Sequence, residues 1–332
     1  MQDNDESNAK PRFQSEKLFL IIKWIFPFII GLILFRGFQQ KQQNINDLIE
    51  SFSNIFSYKN ALKLLIVFLL IMANWACEAR KWQILTQRFE NLTFIDAYKS
   101  VLVGLTLGFI TPANLGDFAG RTLHLKKDNR QTGIGTILLG NGIQFYVTLI
   151  FGILSYLIIW KNNISIFDQI IFGVTLFCVL LGIFLFYNRN KVQQYFNRFR
   201  WIHPFKVYLN ALTDFENRDF KNVMIWTSIR FIIYSFQFVI ILQIFQIDVL
   251  TIDLWAISCL ILLFKTLIPP INFLSDLGIR EISAIHFFNF YSVNIASVIT
   301  ATFALWLINI LFPVLIGSAF FLRIKLANKP IN

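Results

Sequence analysis

The feature that most constrains this chain is a succession of long apolar runs. They fall at roughly residues 18–35, 61–79, 97–111, 134–160, 167–187, 223–247, 249–268 and 282–322. Crossing ~30 Å of hydrocarbon takes about 20 residues at ~1.5 Å each, and most of the runs reach that length. Composition enters only to close the alternatives. Hydrophobic residues are 56% of the chain and charged residues 15%, where a soluble domain carries about 25% charged residues. Mean hydropathy is +0.58. A soluble, disordered or secreted disulfide-stapled protein is thereby excluded. The fold class expected is all-α, a polytopic membrane helical bundle.

Some runs do not fit a simple crossing. Run 97–111 has 15 residues and reaches only ~22 Å. It stops at Thr111-Pro112, with Gly116 and Gly120 beyond. Run 249–268 stops at Pro269-Pro270, and run 282–322 is too long for one crossing, with a break expected near Asn289–Asn294. Loop charge decides how the short run is threaded, because Lys and Arg near span ends favour the cytoplasm. If 97–111 crossed fully, the most basic loop, 188–222, would face outside. If 97–126 instead enters and leaves on one face, that face collects 21 Lys and Arg and the other collects 4. The bias selects a re-entrant hairpin at 97–126. A C-terminus on the basic face then requires a second hairpin, at about 250–293, on the opposite face. The expected architecture is about six full spans plus two oppositely oriented re-entrant hairpins, a weak inverted repeat. Paired broken segments of this kind point to a transporter site, since bare backbone at membrane depth survives only inside protein or beside water.

The organisation that follows is a polar cytoplasmic tail (1–17), one integral membrane domain (18–325) and a cytoplasmic tail (326–332). Run 18–35 reads as a retained first span rather than a secretory signal, because the run is too long and no cleavage site follows. Leu48, Ile49, Phe52, Ile55 and Phe56 share one helical face, which suits a helix on the outer surface. Loop 188–222 interleaves bases with aromatics, a composition for the inner interface. The formal charge of +11 therefore speaks for anionic headgroups, not nucleic acid. Cys77, Cys178 and Cys259 each lie in apolar sequence, and His124, His203 and His286 are far apart, so no metal or cofactor site is expected.

Chemistry has to come from polar residues that lipid would reject. The first group is Thr111, Pro112, Asn114, Gly116, Asp117 and Arg121. Pro112 withholds an amide and disfavours helix at Thr111. Gly116 allows a turn or a close approach. Asp117 and Arg121 are four apart and can pair on one helix face. The second group is Lys265, Asn272, Asp276, Gly278, Arg280 and Glu281, with the same ingredients around its own proline break. Glu281 is expected near a helix N-terminus, where the dipole suits an acid. Asn141 and Gln144 share a face of the 134–160 span. Arg230 and Lys23 are expected to snorkel toward the inner surface.

At these two groups the sequence resembles the membrane region of lysylphosphatidylglycerol synthases, which also occurs as stand-alone flippase-like proteins. The pattern T-P-x-x-x-G-E-x-x-x-R stands here as Thr111, Pro112, Gly116, Asp117 and Arg121. The pattern P-x-x-x-G-G-L-G-x-R-E stands as Leu277, Gly278, Arg280 and Glu281, with Ser275-Asp276 in place of the glycine pair. Lys81, Trp82 and Leu85 resemble the element that ends the second span. Asp117 is one methylene shorter than the family's Glu. The resemblance covers about residues 15–325 and leaves no room for the soluble aminoacyl-transferring domain, so synthase activity is not implied.

What the resemblance implies is movement of an amphipathic lipid between leaflets. The expected function is a flippase-like transporter, not an enzyme, for an anionic lipid such as a phospholipid or a polyprenyl-phosphate-linked glycolipid. Arg121, Lys265 and Arg280 would receive the phosphate. Asp117, Asp276 and Glu281 would neutralise these bases when the site is empty. A membrane enzyme on lipid-linked substrates and a small-ion or solute transporter stay open as alternatives. No G-x-x-x-x-G-K-[ST] motif offers ATP coupling. The expected location is the cell (inner) membrane with both termini cytoplasmic. Membrane lipids are the expected partners, and a second copy or a lipid-modifying enzyme stays open as the protein partner.

Overall fold

The structure, a computed structural model, describes residues 58–160, 165–189, 191, 215–268 and 273–327. The expected first span at 18–35, the outer helix of Leu48–Phe56, most of loop 188–222, Asn272 and Lys23 lie outside the described residues.

Among the described residues ten α-helices follow one another: α1 (Ala61–Thr86), α2 (Phe94–Ile110), α3 (Leu115–Thr122), α4 (Arg130–Ile159), α5 (Ile166–Tyr187), α6 (Asn217–Ile244), α7 (Thr251–Leu267), α8 (Phe273–Phe288), α9 (Ile295–Trp306) and α10 (Phe312–Ala327). A π-helical turn, Leu307–Leu311, joins α9 to α10 without a break in the rod. Among the described residues, five segments are long and apolar enough to cross a membrane: Tyr58–Thr86, Lys127–Ile159, Ile166–Tyr187, Asn217–Ile244 and Ile295–Arg323. The protein is an integral membrane protein of all-α class. The helices left over, α2–α3 and α7–α8, are the two stretches that the loop charges mark as hairpins. Each pair packs against itself. Alternating the five candidate spans places the two pairs at opposite ends of the bundle.

Local sequence sets the ends of these helices. Thr93 caps α2 by accepting from the Asp96 amide, and Ser165 does the same for α5 with Asp168. Glu216 and Asp219 cap α6 reciprocally. Asn294 caps α9 through the amides of Ala296 and Ser297, at 2.8 and 3.3 Å. Such caps satisfy amides that a helix leaves open. The turn at 289–294 between α8 and α9 is the expected break. Arg88 in the α1–α2 loop pairs with Glu216, at 3.0 Å, and with Asp219, which ties that loop to the start of α6.

Two larger apolar clusters hold the bundle, and a third, smaller one gathers Val147, Phe231, Cys259 and Leu262. One of the larger two gathers Trp82, Leu85, Val101, Leu102, Ile137, Leu139 and Val223. The other gathers Leu149, Tyr156, Phe238, Leu242, Leu260, Phe287 and Leu305. Along α4 the stretch between Leu139 and Leu149 carries Asn141 and Gln144. Along α6 the stretch between Val223 and Phe238 carries Arg230 and Tyr234. The polar residues thus lie midway along membrane-length helices, between two greasy ends. Peripheral α5 presents Phe167, Ile170, Val174, Phe177, Leu180 and Phe184 outward, as a lipid-facing helix does.

Candidate functional site

The first hairpin is built around Thr111. Pro112 holds Thr111 extended, at φ −104° and ψ 148°, so α2 ends there. The Thr111 hydroxyl donates to Leu107 O at 2.8 Å and accepts the Gly116 amide at 2.7 Å. The chain reverses through Ala113 and Asn114, whose φ values are 50° and 55°. Left-handed backbone is tolerated by Asn and strained for Ala. The turn is therefore made by these two residues and not by Gly116. Gly116 serves close approach: a Cβ there would sit 2.2 Å from Leu107 O. Gly120 meets the Gly104 Cα in the same way, at 2.5 Å. These contacts clamp α3 to α2 and fix the direction of Asp117 and Arg121.

Arg121 is the first half of the site. Its Nε donates to Asp117 Oδ1 at 2.8 Å, as the spacing of four requires. Its Nη1 donates to Glu78 Oε1 of α1 at 2.7 Å. Glu78 also binds Lys81 at 2.8 Å and Arg230 at 3.0 Å. One buried carboxylate thus holds three cations drawn from α1, α3 and α6. Gln144 of α4 supports two of them, accepting from Arg230 Nη1 at 2.6 Å and from Lys81 Nζ at 3.2 Å. The Arg230 guanidinium lies over the Trp75 ring, 5.3 Å from its centroid.

The second hairpin supplies a parallel arrangement. Asp276 of α8 forms ion pairs with Arg280 at 3.1 Å, again at a spacing of four, and with Lys265 of α7 at 3.1 Å. Arg280 donates through Nη1 to the Tyr234 hydroxyl at 2.6 Å. Tyr234 is one turn beyond Arg230 on α6, so that helix links the two charge clusters.

Both clusters open onto one cavity of about 440 Å³. Its charged lining is Glu78, Asp117, Arg121, Arg230, Lys265, Asp276 and Arg280. Four cations face three carboxylates on this wall. Trp75, Phe109, Phe118 and Trp306 add aromatic wall. Of the residues singled out in the sequence, Asn114, Asp117, Arg121, Asn141, Gln144, Lys265, Asp276 and Arg280 line the cavity. Thr111, Pro112, Gly116 and Gly278 do not. The first three shape the hairpin tip instead.

Two expectations are corrected. Glu281 is not at a helix N-terminus: α8 begins at Phe273, so Glu281 sits two turns inside it. It is buried, beside Thr302 of α9, and is not part of the cavity wall. Arg230 does not snorkel. It stands midway along α6, too deep to reach an interface, and is neutralised by Glu78. Sequence reasoning also passed over Glu78, Asn74, Tyr234, Trp306 and Asn309. Glu78 could have been found, being an acid within the apolar run 61–79 and three residues from Lys81.

With this geometry in hand, comparison with known families is decisive. The family model described as the lysylphosphatidylglycerol synthase TM region matches residues 21–317. The chain belongs to this family. The match takes in both hairpins and every residue of the cavity wall, and it supports a membrane protein acting on lipids. None of the curated proteins compared with the chain matches it.

Proposed function

We propose that this protein is a lipid flippase-like transporter that moves an anionic amphipathic lipid between leaflets. The observation that carries the reading is the cavity wall: two broken hairpins from opposite ends of the bundle bring Arg121, Lys265 and Arg280 to one polar cavity, together with Arg230. A lipid headgroup needs a polar path through hydrocarbon, whereas its tails can remain in the bilayer. Guanidinium groups recognise phosphate oxygens with paired N–H donors, and their charge is held in readiness by Asp117, Glu78 and Asp276. When a phosphate enters, the carboxylates yield contacts to it; when it leaves, they take the cations back. No bond is made or broken in the cargo, so the protein acts as a transporter and not as an enzyme. Membrane lipids are its partners. Its place in this reading is the cell membrane, and the loop charges favour both termini on the cytoplasmic side.

The test is leaflet exchange. Purified protein is reconstituted in liposomes with tail-labelled fluorescent phospholipids, and dithionite quenches the outer leaflet. The expected result is faster loss of the protected signal, abolished by Arg121→Ala and by Arg280→Ala in variants that still insert. Wild-type rates equal to protein-free vesicles for anionic lipids, or unchanged rates in both variants, would overturn the reading.

A further inference from the structure

Glu281 is a carboxyl that the cavity wall leaves unused. It follows Arg280 on α8 and is 3% exposed. The three carboxylates of the wall each hold a cation: Glu78 pairs with Arg121, Lys81 and Arg230, Asp117 with Arg121, and Asp276 with Lys265 and Arg280. Glu281 makes no ion pair among the described residues. The helices packed against α8 are α7 and α9. Helix α7 carries Asp253 at its start and Lys265, which is paired with Asp276. Helix α9 carries no titratable side chain. On α8 itself the charges acting on Glu281 are Arg280 and Asp276, while His286 stands near the far end, paired with Asp168 of α5. The Arg280 guanidinium is engaged by Asp276 and, at 2.6 Å, by the Tyr234 hydroxyl of α6.

The group that Glu281 does meet is the Thr302 hydroxyl of α9. Thr302 donates its single hydroxyl proton to Ile299 O, at 2.8 Å. Toward Glu281 that oxygen offers lone pairs only. A carboxylic acid donates into such an oxygen, whereas a carboxylate would face it unbonded. Burial without a cation favours the same neutral form. The fold thus builds a place for a proton, one residue along α8 from a cation of the cavity wall. An anion entering the cavity engages Arg280 and brings a second negative charge close to Glu281, and like charges oppose ionisation. When the anion leaves, Arg280 is the charge at hand to offset a Glu281 carboxylate. Proton and anion therefore favour each other, and by linkage each raises the other's affinity by the same factor.

Resting on the transporter reading above, we propose that Glu281 is the coupling-proton site of an anionic-lipid–proton symporter. One H+ is taken up from water on one face with one headgroup charge, and both are released on the other face. The carboxyl O–H is the bond that forms and breaks, and the headgroup crosses hydrocarbon with its charge balanced, which lowers the cost of crossing.

The test is proton uptake on binding, measured on the purified full chain in weakly buffered detergent with a pH-indicating dye. The probe is soluble dihexanoyl phosphatidylmethanol, a phosphodiester that keeps one charge across the pH range. The expected result is uptake approaching one proton per lipid toward the alkaline end, with an affinity that falls by up to about tenfold per pH unit there. Glu281→Gln should take up none and bind at every pH as tightly as wild type does in acid, which also shows that the variant is folded. Glu281→Asp should restore a pH-dependent affinity. Binding without uptake in wild type, uptake unchanged in Glu281→Gln, or binding weakened equally at every pH in that variant would overturn the proposal. Dimethyl phosphate, the headgroup without tails, driving the same uptake at the same concentrations would keep the proton site and remove the lipid as its partner. Leaflet exchange that an imposed pH gradient fails to bias toward the alkaline leaflet would overturn coupling and keep the transporter reading. Linked uptake without leaflet exchange under any gradient would keep the proton site and remove the transporter reading.

Discussion

Replacing Glu78 by Gln should expose how the cavity is balanced. Glu78 pairs with all three of Arg121, Lys81 and Arg230, at 2.7, 2.8 and 3.0 Å. Gln keeps the shape and one acceptor but removes the charge. The wall then holds four cations against two carboxylates, with Lys81 behind it. Removing one partner of a buried ion pair costs about 3–5 kcal/mol. Two features reduce that figure. Asp117 still holds Arg121, Gln144 still accepts from Arg230 and Lys81, and the cavity is roomy enough for water. The expected loss is about 1–3 kcal/mol, or roughly 2–9 °C in midpoint for a chain of this size. Thermal unfolding in detergent, followed by tryptophan emission, measures it. The second half of the prediction is sharper. With its resident anion gone, the variant should gain more from an anionic lipid than wild type does. A ligand at about 100 times its Kd stabilises by ~2.7 kcal/mol, enough to recover most of the loss. An unchanged midpoint, or equal stabilisation of variant and wild type by the lipid, would refute the argument that Glu78 stands in for the cargo's charge.

Other outcomes follow from the packing. Gly116→Ala and Gly317→Ala each drive a Cβ to 2.2 Å from a backbone carbonyl, of Leu107 and Leu102. Each should lose about 1–3 kcal/mol or fail to accumulate, whereas Gly173→Ala, with nothing within 4 Å, should leave the unfolding midpoint unchanged or higher. Tyr234→Phe removes the 2.6 Å partner of Arg280 and should slow leaflet exchange several-fold with little loss of stability. Asp168→Asn breaks the pair with His286, at 3.0 Å, which ties the start of α5 to the end of α8. Because His286 is one third exposed, a loss of only about 1–2 kcal/mol is expected, read as a lower midpoint with lipid binding intact.

Much of the fold can be read from local sequence. Run length separates spans from half-spans because hydrocarbon thickness is fixed. Thr111-Pro112 ends α2 because the residue before proline avoids helix. The Asp117–Arg121 and Asp276–Arg280 pairs follow from helical periodicity alone. The two errors have a common origin. Glu281 stands just before the apolar run 282–322 and so reads as the start of a helix, but α8 begins already at Phe273, which carries Glu281 inward by two turns. Arg230 was judged from its span alone, where snorkelling is the only relief for a charge, and its partner belongs to another helix.

The sequence by itself determined the class of the protein, the two breaks in its helices and the residues too polar for lipid. These depend on transfer free energy and on contacts within a turn or two, which a single chain order contains. The tertiary structure alone decided that both hairpins face one cavity, that Glu78 lies on its wall holding three cations and that α6 joins the two clusters through Arg230 and Tyr234. Glu78 and Arg121 are 43 residues apart in the chain, and no local rule links them. They meet because glycines at 104, 116 and 120 let α3 fold tightly onto α2, and because α1 packs beside that hairpin. A buried charge must find a counter-charge, but only packing chooses which one.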